Sequence, residues 1–164
     1  MAADAIHPDR DIAGVVAPPP LIFLGFLVLG LVLGHVWPLA IVDGSMPPAL
    51  RIALGAAVAV LSLAMGMIGF WQLRRAGTNV RPDRPTTALV RDGIYRYSRN
   101  PLYTGMAFLY AGIAFAADSL WALALLVPVL LIVRYGVIAR EEAYLERKFG
   151  DDYRNFAASV RRWL

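Results

Sequence analysis

Arginines and tyrosines crowd residues 91–105, RDGIYRYSRNPLYTG, a segment that runs directly into uncharged and mostly apolar residues. A second charged group, Arg140, Glu141 and Glu142, follows a later apolar stretch. Guanidinium groups pair with carboxylates, carboxylates hold ammonium groups, and tyrosine rings attract cations to their faces. These side chains favour a polar site for a zwitterionic cofactor beside an amphipathic substrate. The alternative is a belt that anchors the chain at a membrane interface.

Several common kinds of chemistry have no counterpart in the sequence. The chain has no Walker loop, no GxGxxG fingerprint, no HExxH pair and no nucleophile elbow. It has no cysteine, which excludes disulfides, thiolate metal sites and cysteine nucleophiles. Its two histidines are His7, near the N-terminus, and His35, which we interpret as an interfacial or packing residue. We therefore predict no metal site.

The apolar residues are clustered in lengths that suit membrane helices. Of the 164 residues, 59% are hydrophobic and 17% are charged. Uncharged stretches cover residues 21–42, 52–73 and 101–117, and a fourth, 119–139, is interrupted by Arg134, whose stem can reach the headgroups. Because a membrane helix needs ~20 apolar residues, we predict an all-α integral membrane protein with about four transmembrane helices. These stretches contain no acidic residue, which argues against a proton-coupled transporter.

A very short connection predicts that the two charged groups meet. The third and fourth apolar stretches are separated by Asp118 and Ser119, so they should form a tight antiparallel hairpin. The hairpin brings the start of the third span and the end of the fourth span to the same membrane face. The residues expected to meet there are Arg99, Asn100, Tyr103, Glu141 and Glu142.

The distribution of cations predicts the orientation of the chain. Seven arginines lie between the second and third spans, and five arginines and one lysine follow the fourth span. The loop between the first two spans carries Asp43 and Arg51 as its charges. By the positive-inside rule, the arginine-rich loop, both termini and the site are cytoplasmic, in what we expect to be a prokaryotic inner membrane. Membrane lipids are expected partners of these cations, and nucleic acid is not, because a bilayer would hold the basic surface.

The two ends of the chain have different patterns. Residues 1–20 are Pro-rich and aperiodic, so we predict a disordered N-terminal tail and one domain over residues 21–164. The fourth helix, kinked at Pro128, should continue to Phe149, with Gly150 as its C-cap and a new helix starting at Asp151 or Asp152. This C-terminal amphipathic helix should lie on the bilayer surface or against the arginine-rich loop. Its apolar stripe is Phe149, Tyr153, Phe156, Val160 and Trp163.

Two linked motifs resemble the isoprenylcysteine carboxyl methyltransferase family, which is similar to the phospholipid N-methyltransferases. The first, G-x-Y-x-x-x-R-[HN]-P-x-Y-x-G, matches residues 93–105, and the second, E-E-x-x-L-x-x-x-F-G-x-x-Y, matches residues 141–153. The hairpin lies between them, and the resemblance covers about residues 74–162. Eukaryotic members have histidine after the motif arginine. This chain has Asn100, whose amide is not a base near neutral pH, which argues against a prenylated protein as substrate.

The resemblance implies an integral membrane methyltransferase that uses S-adenosylmethionine, releases S-adenosylhomocysteine and lacks a soluble Rossmann domain. Residues 21–73 would then form two N-terminal spans, and residues 74–164 the cofactor-binding core. The expected acceptor is a lipophilic or amphipathic molecule that enters from the bilayer, for example a prenylcysteine-like carboxylate. The alternatives are a lipid amine, a small thiol, or a non-enzymatic membrane scaffold that keeps the fold.

The resemblance also implies roles for single residues. Arg99 and Glu142 are the expected catalytic residues, and Glu142 is assigned to the ammonium group of the methyl donor. Adjacent residues on a helix diverge by ~100°, so we do not expect both carboxylates in one small pocket and place Glu141 nearer Arg134. The expected cofactor-binding residues are Tyr95, Arg99, Asn100, Pro101, Tyr103, Arg140, Glu141 and Glu142, with Arg91 next.

Overall fold

The computed structural model describes residues 11–82 and 84–164, and within them the chain forms helices and no strand. The α-helices are α1 (Pro19–Val36), α2 (Pro48–Arg75), α3 (Pro101–Ala116), α4 (Leu120–Val133), α5 (Ala139–Phe149) and α6 (Asp151–Ser159). A short 3₁₀ helix covers Gly93–Arg96, and a π-helical turn, Arg134–Ile138, joins α4 to α5 without a break. The all-α prediction is confirmed.

Three of these helices are long and apolar enough to cross a membrane. They are α1, α2 and the continuous helix Leu120–Phe149, and each contains an 18-residue window of high mean hydropathy. Helix α3 is apolar but has 16 residues, which span about 24 Å at 1.5 Å per residue and fall short of the ~30 Å hydrocarbon core. The count of four spans therefore stays a prediction.

Small residues let the long helices approach closely in two pairs. Helix α1 packs on α4, and a Cβ atom added at Gly30 would overlap the backbone of Ala122. Helix α2 packs on α3, and a Cβ atom at Gly55 would lie 2.5 Å from the carbonyl oxygen of Gly112. These contacts use glycine as membrane helices commonly do, to gain close van der Waals packing where no hydrophobic driving force exists.

The predicted tight connection between α3 and α4 is confirmed as the three-residue turn 117–119. Asp118 adopts a left-handed conformation with φ of 55°, and its carboxylate accepts hydrogen bonds from the N–H groups of Ile41 and Val42 at 2.8 and 3.1 Å. Arg51 forms an ion pair with it at 2.6 Å. Burial acts to raise the pKa of Asp118, but the two N–H donors and Arg51 outweigh it and hold the pKa below its ordinary value. The turn thereby ties the α1–α2 loop to the hairpin.

The continuous helix to Phe149 agrees with the prediction, but its π-turn was not predicted. A π-turn places an extra residue in one turn, so it rotates the following residues by about 100° relative to a regular α-helix. The carbonyl oxygen of Gly136, inside the turn, accepts a hydrogen bond from the N–H of Val16 at 3.1 Å. Pro128 lies inside α4, and the kink predicted there stays a prediction.

Residues 11–18, which we call the N-terminal strap, correct part of the prediction of a disordered tail. The strap is bound to the body of the protein: the N–H of Ala13 donates to the carbonyl oxygen of Pro82 at 3.4 Å, and Asp11 accepts from Tyr144 and Lys148 at 3.1 and 2.5 Å. Backbone groups make part of these bonds, which explains why side-chain patterns do not reveal them. From residue 19 the chain is already helical, and residues 1–10 of the predicted tail lie outside the described residues.

The boundary between the two C-terminal helices is as predicted, but the second helix ends before its predicted apolar stripe does, because Val160 and Trp163 lie beyond Ser159. Gly150, with φ of 54°, ends α5, and α6 starts at Asp151 as expected. Of the two predicted locations for the apolar stripe, the structure has the packing against the arginine-rich loop: Tyr153 and Phe156 are buried with Tyr95. Helix α6 ends at Ser159, so residues 160–164, which we call the C-terminal segment, continue beyond it.

Candidate active site

A polar cavity of about 120 Å³ lies where the 3₁₀ helix, the start of α3, α5 and α6 meet. Residues of the loop 79–90 and Ala13 of the N-terminal strap complete its lining. The hairpin sets this geometry, because it returns α5 to the end of α3 that carries the Arg-Asn-Pro sequence. The polar cavity is therefore built from segments that are far apart in the chain.

Most of the predicted site residues line this cavity. They are Tyr95, Arg99, Asn100, Pro101, Tyr103, Glu141 and Glu142. Arg140 does not line it; its guanidinium group is exposed and donates to the carbonyl oxygen of Gly14 at 2.6 Å. Arg91 lies elsewhere as well, in an ion pair with Asp152 at 3.0 Å. Arg140 fastens the N-terminal strap in this structure, and its role in cofactor binding stays a prediction.

Glu142 is neutralised by two arginines. The guanidinium group of Arg162 donates to both of its carboxylate oxygens, from Nε at 2.9 Å and from Nη2 at 2.7 Å. Arg99 approaches the same carboxylate, with Nη1 3.2 Å from Oε1. Such a two-point pair fixes geometry as well as charge. Glu142 therefore holds the C-terminal segment against the start of α3.

Glu141 has a different environment. Its carboxylate accepts a hydrogen bond from the hydroxyl of Tyr103 at 2.7 Å, and among the described residues it has no cationic partner. The expectation that Glu141 and Glu142 would not share one pocket is wrong, since both line the polar cavity. The two side chains do diverge, but the cavity follows the helix surface from Tyr103 to Arg99. The π-turn also changes the helix face, and Glu141 contacts α3 through the hydroxyl of Tyr103.

The C-terminal segment positions Arg99 and Asn100. The N–H of Arg99 donates to the carbonyl oxygen of Arg161 at 2.9 Å. The side-chain amide of Asn100 donates to the carbonyl oxygen of Arg162, also at 2.9 Å. Pro101 then begins α3, where its missing N–H costs nothing. The Nε atom of Arg99 is buried and has no hydrogen-bond partner in the described part of the chain. A buried donor left in this state calls for an acceptor that a ligand can supply.

The phenols of Tyr95 and Tyr153 at the cavity remain protonated near neutral pH. Burial raises the pKa of Tyr95 well above its ordinary value, and the charge of Glu141 raises it further. Burial likewise raises the pKa of Tyr153 to about 12, with a further contribution from the charge of Glu142. These hydroxyls are hydrogen-bond donors and polar walls, and they are poor proton acceptors.

Several residues of the site were not identified from the sequence. Arg162 is the most important: it does not line the cavity but pairs with Glu142, which lies twenty residues away, and no local pattern relates the two. Tyr144 also lines the cavity, and its hydroxyl oxygen accepts a hydrogen bond from the N–H of Thr86 at 3.0 Å. Tyr153 is part of the second motif, which was the available signal for it. Leu73 and Ala13 extend the site beyond residues 74–164, the predicted limits of the cofactor-binding core.

An apolar cavity of about 500 Å³ adjoins the polar one. It lies between α1, α2 and α3 and is lined by hydrophobic side chains, two glycines and Ser62. Leu102, directly after the Arg-Asn-Pro sequence, lines both cavities. The polar site is thus next to a space that suits a hydrocarbon chain.

Comparison with known proteins gives two matches and one negative result. The model of the family "Phospholipid methyltransferase" matches residues 50–152, a region that runs from α2 through the first motif and all but the last residue of the second. An "Uncharacterized protein" of Haemophilus influenzae is 44% identical over 59 residues, which are 36% of this chain and 92% of that protein. No solved structure matches the chain. The family match, which also supports the resemblance to isoprenylcysteine carboxyl methyltransferases, covers more than half of the chain, so this protein is an integral membrane member of the phospholipid methyltransferase family.

Proposed function

We propose that this protein is an S-adenosylmethionine-dependent methyltransferase whose acceptor is a lipophilic or amphipathic molecule that enters from the bilayer. The observation that carries the proposal is the pairing of two cavities. The polar cavity adjoins an apolar cavity through Leu102, and it contains a carboxylate and a guanidinium N–H that have no charged or hydrogen-bond partner of their own among the residues described, apart from the Tyr103 hydroxyl on Glu141. The orientation with this site on the cytoplasmic face follows from the arginine distribution and is part of the proposal.

The polar cavity contains groups that fit the charges of the donor. Glu141, which has no cationic partner in the described part of the chain, suits the ammonium group of the donor, and the Nε atom of Arg99 suits its carboxylate. The faces of Tyr95 and Tyr103 suit the sulfonium by cation–π attraction, and the amide of Asn100 can bond polar atoms. When bound, the donor supplies an electrophilic methyl group. The residues contribute orientation and exclusion of water.

The size of the polar cavity indicates that its wall must move for the donor to enter. Ligand pockets commonly have ~300–1,000 Å³, well above the about 120 Å³ available here. Among the described residues of the wall, the N-terminal strap and residues of the loop 79–90 lie outside the helices. A hydrogen bond from the N–H of Thr86 to the hydroxyl of Tyr144 links the loop to α5. We infer that donor entry displaces these two segments while α3 and α5 stay fixed.

We expect the acceptor to be in its nucleophilic protonation state before it enters the site. The phenols of Tyr95 and Tyr153 keep their protons, Asn100 is not a base, and the two carboxylates of the cavity are assigned to the donor's ammonium group and to Arg162. A carboxylate or thiolate needs no proton removal, so we propose an acceptor of this kind with an alkyl tail in the apolar cavity. A lipid amine is the alternative, in line with the family's description, and it would have to lose a proton before it reacts.

The test is direct titration of the purified protein in detergent with S-adenosylmethionine and S-adenosylhomocysteine. We expect saturable binding of both, with mutual competition. Labelled donor and a panel of acceptors with carboxylate, thiol or amine heads on tails of increasing length then identify the reaction. Failure to bind donor at millimolar concentration would favour the scaffold alternative.

The apolar cavity makes a separate prediction about acceptor length. Gly66 lines this cavity, and a Cβ atom there meets nothing within 4 Å, so Gly66→Leu should fill the space without disturbing the fold. If it excludes two to four methylene groups at about 0.8 kcal/mol each, kcat/KM for long-tailed acceptors should fall about 10- to 200-fold. Donor affinity should not change.

Gly25→Leu is the matched control, because Gly25 also faces open space but lies outside the cavity. Equal effects of both substitutions, or an unchanged preference for long tails in Gly66→Leu, would contradict the assignment of this cavity to the acceptor.

A further inference from the structure

A second polar surface lies on the far side of the C-terminal segment. Two adjoining depressions of about 400 and 390 Å³ share Arg96 and Ser159 and run between the 3₁₀ helix and the end of α6. We call this surface the basic groove. Its charged and amide side chains are Arg91, Arg96, Asn155 and Arg161.

The charges in the basic groove are not balanced. Arg91 pairs with Asp152 at 3.0 Å, but Arg96 and Arg161 have no carboxylate partner within the described residues. Both side chains are exposed. These two guanidinium groups, next to an amide, form a favourable binding site for a phosphate, because the planar guanidinium group can donate two hydrogen bonds to two phosphate oxygens.

The basic groove lies at the level of the membrane boundary. The N–H of Ile94, in the 3₁₀ helix, donates to the side chain of Gln72 at 3.2 Å. Gln72 is in the last turn of α2, next to the exposed Trp71 and just before the first arginines of the loop, where tryptophan marks the interface. Tyr97 and Leu164, which line the groove, are 72% and 57% exposed. An apolar and aromatic rim beside free arginines fits the headgroup and upper chain of a lipid.

We propose that the basic groove binds the phosphate-bearing headgroup of an anionic membrane lipid. Arg96 and Arg161 hold the phosphate, Asn155 donates a further hydrogen bond, and Tyr97 and Leu164 contact the start of the acyl chain. The proposal concerns a site separate from the polar cavity, and it does not depend on the reaction proposed above.

Lipid in the basic groove also acts on the candidate active site. The side chain of Arg161 faces the groove, while its carbonyl oxygen receives the N–H of Arg99. The next residue, Arg162, holds Glu142 and Asn100. A lipid that fixes Arg161 therefore stabilises the segment that positions the site, and an anionic membrane should favour the assembled form.

The test uses the full chain in nanodiscs of phosphatidylcholine with an increasing share of phosphatidylglycerol. Spin-labelled lipids report which headgroup is retained at the protein surface. We expect the parent protein to select phosphatidylglycerol, and the double variant Arg96→Gln/Arg161→Gln to bind it about 30-fold more weakly. This factor corresponds to about 2 kcal/mol, or about 1 kcal/mol for each arginine near the surface.

The double variant Arg75→Gln/Arg147→Gln is the matched control, since it removes the same charge from exposed arginines outside the groove. It should keep the selectivity. Equal losses in both double variants would mean diffuse surface attraction and would overturn the proposal. So would the absence of selectivity in the parent, or equally tight binding of soluble inorganic phosphate.

Hydrogen exchange at the N–H of Arg99 provides a second measurement that is independent of methyl transfer. In the parent, phosphatidylglycerol should slow this exchange, because the lipid stabilises the acceptor carbonyl group of Arg161. In Arg96→Gln/Arg161→Gln the exchange rate should not respond to the lipid. A response that persists in the double variant would show that the groove does not mediate it.

Discussion

Replacing Glu141 by glutamine should weaken the binding of S-adenosylmethionine about 10- to 150-fold without loss of the folded state. The substitution keeps the shape of the side chain and its contact with the Tyr103 hydroxyl, but removes the charge proposed to hold the donor's ammonium group. A charge-assisted hydrogen bond contributes roughly 1.5–3 kcal/mol, and each 1.4 kcal/mol is a factor of ten in affinity. The measurement is calorimetric titration of the parent and the variant.

The expected effect on stability separates this role from a structural one. Glu141 is a partly buried carboxylate without a cation among the described residues, and such a charge costs free energy in the absence of ligand. Glu141→Gln should therefore leave the apparent Tm of the donor-free protein unchanged or raise it. A site that binds a ligand commonly carries this kind of local cost.

Tyr103→Phe is the matched control, because it removes the hydroxyl that contacts Glu141 and leaves the carboxylate in place. It should lower donor affinity much less than Glu141→Gln does. If Glu141→Gln binds donor like the parent, the carboxylate is an interfacial anchor and the proposed donor site is wrong. If it unfolds the protein, Glu141 has a structural role that its contacts do not indicate.

The sequence was sufficient for features that depend on composition and local pattern. Runs of apolar residues predicted the long helices, and the Gly150-Asp151 pair predicted the boundary between α5 and α6. The short link at Asp118 and Ser119 predicted a tight turn, and through it the meeting of two motifs across one cavity. Each of these inferences needs only the chain's own periodicity and length.

Features that depend on backbone contacts between distant parts of the chain could not be predicted from the sequence. The N-terminal strap looks disordered because its Pro-rich pattern has no periodicity, yet the N–H of Val16 is bound to the carbonyl oxygen of Gly136. The same hydrogen bond lies at the π-turn, and no pattern of residues in the sequence predicts that turn. Because the π-turn rotates α5 relative to a regular α-helix, regular helical spacing does not determine the face on which Glu141 lies.

The pairing of Glu142 with Arg162 is the most consequential of these distant contacts. The family motif alone assigns Glu142 to the ammonium group of the donor, and measurements of donor binding test that assignment. The structure gives its carboxylate two arginine partners, whereas Glu141 has none in the described chain. On the balance of charge, we propose Glu141 for the donor and Glu142 as the residue that holds the C-terminal segment in place.

Glu142→Gln should accordingly destabilise the protein as well as impair the site. The substitution leaves the guanidinium groups of Arg99 and Arg162 without their shared carboxylate. Breaking a buried pair costs about 3–5 kcal/mol, and the lower end applies here because the Arg162 side chain is 34% exposed. At ~2–4 °C per kcal/mol for a chain of this size, the apparent Tm in detergent should fall by on the order of 6–12 °C.

A double-mutant cycle with Arg162→Gln tests whether the pair itself is responsible. If Glu142 and Arg162 stabilise the protein mainly through each other, the double variant Glu142→Gln/Arg162→Gln should lose less stability than the sum of the two single variants. In both single variants, hydrogen exchange at the N–H of Arg99 should accelerate, because the C-terminal segment detaches from the start of α3. Strictly additive losses of stability would contradict the assignment.

The same variants decide between the two roles of Glu142. If it holds the C-terminal segment, Glu142→Gln and Arg162→Gln should lower donor affinity to a similar extent, since each releases Arg99 and Asn100 from their positions. If it binds the ammonium group directly, Glu142→Gln should reduce donor affinity far more than Arg162→Gln and leave the Tm almost unchanged. That second pattern, together with normal donor binding by Glu141→Gln, would show that Glu142 binds the ammonium group of the donor. Arg162 would then be a neighbour of the site that contributes little to holding it together.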